Sequence, residues 1–527
     1  MGFDNKTRSV VIATATLAAT AGLVFFGNGL MPRWPLMWLA PLPVLVFALR
    51  RPAWQAGVVA AGGWFAGSLN LWGYLRVLTP PVVWFMDFGT AAAAFAAGVL
   101  LMRALERRGA VWSAWMALPA VWVTFEYARY LLWPHGSAAC IAYSQLNFLP
   151  FLQLASVGGP WGIGFVLMLF PAGLALAIHR WGSARRHAAR VLSATVGVVA
   201  AVLIFGAVRL AIHQPGPEVT VGLIASDANG GSQVTDPGAP TERLFETYAE
   251  YVRQLTAQGA QVVVMPEHVG VALDSDVAAT DAIFQQIANR TGAVLVAGMA
   301  RIGAEGRHNE ARVYAPDEVV RSYHKEHLLP PWETAHFTPG TSQTLFAAPG
   351  KMAGQTWGVA ICKDMDFTDP ALSYGRAGVG LMLVPAWDFR VDGFWHGHIA
   401  VMRAVEDGFS LVRTARGGLL TVTDDRGRIV AEASSDSASF ATLLAQVPSG
   451  HNRTAFLLLG DWFGWCAMAL AVWAIGRVFL LPGSITGFRL RSRVRGIDEK
   501  CHHRKDECIA VSQNIGCGFG KFVTRRK

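Results

Sequence analysis

Eight apolar stretches, seven of them crowded into the first 212 residues, constrain this chain more than any other feature. They lie near residues 9 to 27, 35 to 49, 54 to 75, 83 to 102, 112 to 133, 151 to 178, 191 to 212 and 455 to 481. Most reach the roughly 20 residues that a helix needs to cross a bilayer's hydrocarbon core. Backbone in lipid must satisfy its polar groups internally, so each stretch is expected to be a helix. The second is short, which leaves eight as the best count. Composition agrees: 53% of the 527 residues are hydrophobic and only 15% charged, too apolar for an ordinary soluble protein. Between the seventh and eighth stretches the chain turns mixed in polarity, and this segment reads as a water-soluble domain.

The first stretch follows Lys6 and Arg8 like the core of a signal peptide, but it is long and further spans follow at once, so it reads as a retained helix. Basic residues of the short loops set the orientation. Lys6 and Arg8, Arg50 and Arg51, Arg103, Arg107 and Arg108, then Arg180, Arg185, Arg186 and Arg190 recur on one side, whereas the opposite loops carry little beyond Arg33 and Arg76. The basic side is expected to be cytoplasmic, and the large segment to face outward, into the periplasm of a Gram-negative cell. Formal net charge is +9, but eleven Lys and Arg against four Asp and Glu fall after Gly487. A basic tail after a last span obeys the same rule and suits anionic lipid, so no nucleic acid is expected as a partner. The tail's Cys501, His502, His503, Cys508 and Cys517 match no common zinc spacing. The expected organisation is a seven-span membrane domain over residues 1–213, a periplasmic catalytic domain over 214–452, an eighth span over 453–482 and a cytoplasmic tail over 483–527.

Within the outward segment, opened by the linker-like His213-Gln-Pro-Gly-Pro217, strands and helices alternate. Val219 to Ile224, Gln261 to Met265, Ala293 to Met299 and Leu381 to Val384 read as strands, and Glu242 to Leu255, Thr280 to Asn289 and His396 to Gly408 as helices. Ala311 to Tyr314 with Val319 to Tyr323 reads as a hairpin, and the end is β-rich over Ser410 to Thr414, Leu419 to Thr423 and Ile429 to Ala431. Cys362, the only cysteine here, ends a strand-like run from Thr356; Glu267 closes another, Gln261 to Pro266, and Lys325 a third, Val319 to His324. Strand ends at one edge of an open sheet converge where such folds place their chemistry. A thiol attacks an acyl carbon once it is a thiolate, so Cys362 needs a base, and a carboxylate ending a buried strand suits that work. Lys325 supplies positive charge that favours the thiolate and later the tetrahedral oxyanion, together with a backbone N–H following the nucleophile. The product of attack is a thioester. This chemistry needs no metal or cofactor, and the spacings of His324, His327, His336, His396 and His398 match no metalloenzyme motif.

Pro266-Glu267, Tyr323-His-Lys325-Glu-His-Leu-Leu-Pro330 and Gly358-Val-Ala-Ile-Cys362 resemble the three motif blocks of the nitrilase (carbon–nitrogen hydrolase) superfamily. The resemblance implies an α/β domain built as an α-β-β-α sandwich, with Glu267 as base, Lys325 at the oxyanion, Cys362 as nucleophile and Glu333 holding the lysine. His396 and Met402-Arg-Ala-Val-Glu406 match the helix that follows. About eight transmembrane helices enclosing such a domain are similar to the layout of the apolipoprotein N-acyltransferase family. Trp122, Glu126 and Arg129, Tyr143-Ser-Gln145 and Gly158-Gly159 resemble that family locally. The implied activity is ping-pong transfer of an acyl chain from a phospholipid, through a cysteine thioester, to the amine of a lipoprotein's diacylglyceryl-cysteine, by a monomer in the bacterial inner membrane. Trp387, His396 and Tyr143 become candidate substrate contacts.

Where the family usually carries Cys-Tyr-Glu, this chain reads Cys362-Lys363-Asp364. Asp364 keeps the acid and the Lys363 N–H remains available to an oxyanion, so both are supporting candidates; a plain Lys363–Asp364 ion pair is the simpler reading. Glu126 and Arg129, three apart on one helix, are placed to pair with each other. Two other enzymatic outcomes fit the same triad: a membrane-tethered amidase or hydrolase, in which water resolves the thioester, and a paralogue that acylates another amine. Thioester turnover with and without an acceptor amine separates transfer from hydrolysis. A third, non-enzymatic reading is a degenerate paralogue that only binds lipid or lipoprotein, and the intact triad counts against it.

Overall fold

The computed structural model of the chain describes residues 5–212, 216–227 and 235–481. The expected basic tail over 483–527 lies outside the described residues. The N-terminal part is helical: α1 (Asn5–Gly27), α2 (Trp34–Met37), α3 (Leu42–Arg50), α4 (Ala53–Ser68), α5 (Trp72–Leu78), α6 (Pro81–Arg107), α7 (Val111–Leu132), α8 (Leu149–Leu152), α9 (Ala155–Arg180) and α10 (Arg185–Ala211). There follow β1 (Glu218–Ala225), α11 (Ala239–Ala257), β2 (Val262–Val264), β3 (Gly270–Leu273), α12 (Val277–Thr291), β4 (Val294–Gly303), β5 (Gly306–Tyr314) and β6 (Arg321–His324). The second half of the α/β part comprises β7 (Thr344–Ala347), β8 (Thr356–Val359), α13 (Ala371–Arg376), β9 (Val379–Trp387), α14 (Gly393–Asp407), β10 (Ser410–Arg416), β11 (Leu419–Thr423), β12 (Ile429–Ser434) and β13 (Ala441–Pro448). Two helices close the described chain, α15 (Ala455–Leu459) and α16 (Trp462–Leu480).

Among the described residues five helices are long and apolar enough to cross a membrane, those over Lys6–Gly27, Pro81–Arg107, Ala155–Arg180, Arg185–Ala211 and Trp462–Leu480. The other three expected spans are helical but depart from a plain apolar rod. The stretch near 35–49 is split into α2 and α3, α4 has 16 residues and the chain bends at Leu69–Leu71 before α5, and α7 carries Glu126 and Arg129.

The strands form two sheets, one ordered β13-β1-β2-β4-β5-β6 with β3 beside β4, the other β12-β11-β10-β9-β8-β7. Because β1, β2 and β4 run parallel and are covered on both faces, their apolar runs are continuous rather than alternating. Val221, Leu223, Val262 and Val264 share one core with Val359, Leu381, Leu383 and Leu411 of the second sheet. Ile224, Val263 and Leu295 meet Phe245 and Val252 of α11 and Phe284 of α12 in another. On the far side α14 joins the second sheet through Ala400 and Ala404 and sends Trp395, Ile399, Met402 and Val405 into the core of the membrane helices. The result is four layers, helix, sheet, sheet, helix, with α14 shared between the α/β part and the helical part.

Candidate active site

Glu267, Lys325 and Cys362 each stand just past a strand, after β2, β6 and β8. Lys325 Nζ donates to Glu267 Oε1 at 2.8 Å and to Glu333 Oε1 and Oε2 at 3.0 and 2.8 Å. Asn309, on β5, ties the same carboxylates together, donating to Glu267 Oε1 at 2.6 Å and Glu333 Oε1 at 2.7 Å. The Leu329 N–H donates to Glu333 Oε2 at 2.7 Å, so the loop after β6 carries its own anchor for the lysine. All four polar residues are buried. Burial by itself would strip Lys325 of its proton, but Glu267 and Glu333 outweigh it and hold the ammonium well above the ordinary lysine range. Burial likewise works to raise Glu333, and Lys325 with His268 reverses it, leaving that carboxyl below its usual range. For the Cys362 thiol burial wins: it pushes the pKa well up, Glu267 adds to the rise, and Lys325 opposes it. Such a thiol attacks only if a base takes its proton in the same event.

Cys362 has φ +43°, a left-handed conformation that a side chain other than glycine rarely adopts, and opens a turn running to Asp366. Asp364 holds that turn. Its Oδ2 accepts from the Ile361 N–H at 3.0 Å and the Tyr323 hydroxyl at 2.8 Å, and its Oδ1 from the His327 N–H at 2.8 Å. The acid therefore braces the cysteine against the segment that bears Lys325. It does not pair with Lys363, whose Nζ lies 3.9 Å from Asp366 and 5.1 Å from the Phe367 ring centre. The site is also packed from below. A Cβ at Gly298 on β4 would lie 2.5 Å from the Glu267 Cα and from the Pro266 carbonyl oxygen, both backbone atoms. Gly298→Ala is expected to displace Glu267, cutting the acylation rate by about 10²-fold at a stability cost of about 1–3 kcal/mol, which single-turnover rates and thermal unfolding measure separately.

The three side chains open on a cavity of about 780 Å³. Cys362, Lys363, Trp387 and His396 line it from the α/β part, and Tyr74, Leu75, Leu78, Val83 and Trp84 from α5 and α6. Tyr143 does not line it: the ring is buried and its hydroxyl bonds to Ser137 at 2.5 Å and Arg403 at 3.0 Å. The expected Glu126–Arg129 pair is also replaced. Arg129 bonds Asp87 of α6 at 2.9 Å, while Glu126 accepts from the Ile141 N–H at 2.7 Å, because both find partners on neighbouring segments.

Of the histidines considered, only His336 and His396 line the cavity; His324 pairs with Glu310 at 2.9 Å, His327 stacks on Phe367, and His398 meets the Phe394 carbonyl at 2.8 Å. His396 sits between Asp366 at 3.3 Å and Asp392 at 3.4 Å. Burial alone would lower its pKa, but the two carboxylates outweigh that and raise it to about 10. A raised folded-state value means that the imidazolium's contribution is complete below the ordinary range near 6.5 and is lost as pH climbs through about 10. The melting temperature is therefore expected to fall from about pH 7 to about pH 10 by more in the wild type than in His396→Gln.

Glu267, His268 and Glu333 each offer a ligand atom within 4.8 Å of the others, a set of the kind that suits a divalent ion. The Lys325 ammonium bonds both carboxylates, so the cation of this site is the chain's own. His268 and Asn309 are site residues that sequence reasoning misses: the histidine directly follows Glu267, a signal available in hindsight, whereas nothing local marks Asn309.

A thiol, a carboxylate and an ammonium at strand ends of a helix-sheet-sheet-helix domain, open to apolar helices, define a carbon–nitrogen hydrolase-type enzyme domain borne on a multi-pass membrane protein. Comparison with known proteins agrees: residues 20–173 match the family model of the apolipoprotein N-acyltransferase N-terminal domain, and residues 233–453 that of the carbon–nitrogen hydrolases. The chain therefore joins an apolipoprotein N-acyltransferase N-terminal domain to a carbon–nitrogen hydrolase domain. Similar proteins include the apolipoprotein N-acyltransferase of Geobacter metallireducens, 26% identical over 477 residues covering 82% of this chain and 89% of that one. The protein of the same name from Vibrio vulnificus is 24% identical over 494 residues, covering 83% and 92%. Among solved structures, a variant of the Nesterenkonia AN1 amidase of the nitrilase superfamily is similar, 21% identical with a TM-score of 0.37, covering 47% of this chain and 94% of that one.

Proposed function

We propose that this protein transfers an acyl chain from a phospholipid to the amine of a lipoprotein's diacylglyceryl-cysteine. The observation that carries the reading is the cavity itself, which joins Glu267, Lys325 and Cys362 to apolar side chains of α5 and α6 and so gives a lipid ester a path from the bilayer to a thiol. In the first half-reaction Cys362 Sγ attacks the ester carbon while Glu267 takes the thiol proton. Lys325 Nζ and the Lys363 backbone N–H meet the oxyanion. As the ester C–O bond breaks, Glu267 returns the proton to the departing lysophospholipid oxygen, leaving a thioester. The acceptor amine then attacks the thioester carbon, Glu267 takes the amine's proton, and the proton passes to the departing Cys362 sulfur as the amide forms. Glu333 and Asn309 position the lysine and the base, Asp364 the nucleophile's turn, and Trp387 and His396 contact the donor. No cofactor takes part. In this reading the chain spans the inner membrane eight times as a monomer, with the α/β part in the periplasm where lipoproteins are finished.

Intact-mass spectrometry after incubation with phospholipid, followed by a diacylated lipopeptide, tests this. An acyl adduct that is absent in Cys362→Ala and moves to the peptide amine is the expected result. An adduct that decays to free fatty acid with the peptide untouched would make the protein a hydrolase, and the absence of an adduct with any phospholipid would overturn the proposed donor.

A further inference from the structure

We infer that Lys363 binds the phosphodiester of the acyl donor, so that its side chain serves the first half-reaction and not the second. The inference rests on the acyl transfer proposed above. Lys363 is 4% exposed, and its Nζ, with three N–H bonds to give, has no hydrogen-bond partner among the described residues. The nearby carboxylate, Asp366, stands 3.9 Å away, beyond hydrogen-bonding range, and is engaged by His396 Nδ1 at 3.3 Å. Leaving a buried ammonium without a hydrogen bond is costly, and burial accordingly pulls its pKa down. Lys363 lines the cavity immediately beside Cys362, so its side chain borders the space that a bound donor would fill.

The donor's chemistry meets that need. In a diacyl phospholipid the phosphorus lies six bonds along the glycerol from the outer ester carbon. A lysine on the residue next to the nucleophile reaches over a similar span, since its Nζ is five bonds from its own Cα. A compact ammonium is a suitable ligand for a phosphate oxygen, as a point charge that needs no fixed fork. Arg129, His135 and Arg307 line the same cavity, and His135 is close enough to feel the Lys363 charge; Arg129 is committed to Asp87 and Arg307 is exposed, which leaves Lys363, among the described residues, as the buried cation of this cavity without a hydrogen-bonded partner. The acceptor, a diacylglyceryl thioether on a peptide, carries no phosphate at its glycerol. A headgroup contact through Lys363 therefore distinguishes donor from acceptor in one shared cavity.

The test is single-turnover acylation of Cys362 by phosphatidylethanolamine in mixed micelles and by p-nitrophenyl palmitate, which lacks a phosphate, in wild type, Lys363→Met and Lys363→Arg. Losing one charge-assisted contact should slow acylation by phospholipid about 10- to 100-fold more than acylation by the nitrophenyl ester, and arginine should recover most of it. Transfer from a preformed thioester to lipopeptide should fall far less. Equal losses with both donors, or an equal loss in the second half-reaction, would overturn the inference. Should Lys363→Met fail to fold, the wild type still decides: glycerophosphoethanolamine is expected to compete with the phospholipid and glycerol is not, and equal behaviour of the two overturns the assignment. Failure of the underlying reading looks different, because the wild type would then accept the nitrophenyl ester and no phospholipid.

Discussion

Glu267→Gln is expected to slow acylation of Cys362 by about 10²–10⁴-fold without unfolding the protein. Glutamine is nearly isosteric, and its amide oxygen can still accept from Lys325 and Asn309, which now donate to Glu267 Oε1 at 2.8 and 2.6 Å. What disappears is the proton acceptor. Burial pushes the Cys362 thiol well above its ordinary range, so the thiolate is scarce unless a base takes the proton during attack. Removing the glutamate's negative charge eases the thiol's ionisation somewhat, since Glu267 is the second cause of that rise, but this does not replace general-base catalysis. In the variant, solvent hydroxide must do the work, and the residual rate should climb with pH where the wild type's is flatter. Single-turnover mass spectrometry from about pH 6 to about pH 9 reads both effects. A variant within tenfold of wild type at neutral pH would remove Glu267 from the base's role.

Lys325→Met is the substitution expected to cost most in stability. The ammonium is hydrogen-bonded to two buried carboxylates at once, and methionine fills its volume but leaves both acids unpaired. Breaking a buried pair by removing one partner costs about 3–5 kcal/mol. The pH dependence gives the mechanism away. In the wild type the Glu333 carboxyl is held below its usual range, so its stabilising contribution is present above the ordinary carboxylate pKa and is lost as pH falls through the lower folded-state value. In the variant Glu333 loses the cation that favours its charged form and relieves the strain by taking up a proton. The stability gap between wild type and variant should therefore be widest near neutrality and shrink under acid conditions, measured as thermal midpoints in detergent. Glu333→Gln should cost less, because Glu267 still accepts from the lysine. A gap that does not change with pH would mean that the loss is one of packing alone.

Local patterns make part of this molecule legible and hide the rest. The α/β elements with long apolar runs are readable because burial on both faces leaves continuous stretches such as Gln261 to Met265 and Leu381 to Val384. Strand β13 is not, since it is half exposed and takes its identity from antiparallel pairing with β1, Glu218 opposite Pro448 through to Ala225 opposite Ala441. Arg129 shows the same limit inside the helical part. Spacing on one helix proposes Glu126, but the guanidinium finds Asp87, 42 residues earlier, because α6 packs beside α7.

By itself, then, the sequence determines that the chain is a set of apolar helices with an α/β segment before the last of them, and that a glutamate, a lysine and a cysteine end three of its strands. Hydropathy and alternation are properties of neighbouring residues, so they survive without a fold. Only the tertiary structure decides that Asn309 clasps Glu267 and Glu333, residues 42 and 24 positions away, that Asp364 braces the turn of Cys362 instead of pairing with Lys363, and that Lys363 is left as a buried cation at the cavity wall without a hydrogen-bond partner among the described residues. Those relations depend on which strands become neighbours and on how deeply each group is withdrawn from water. Burial is what makes an unpaired charge costly, and burial is a property of the folded chain.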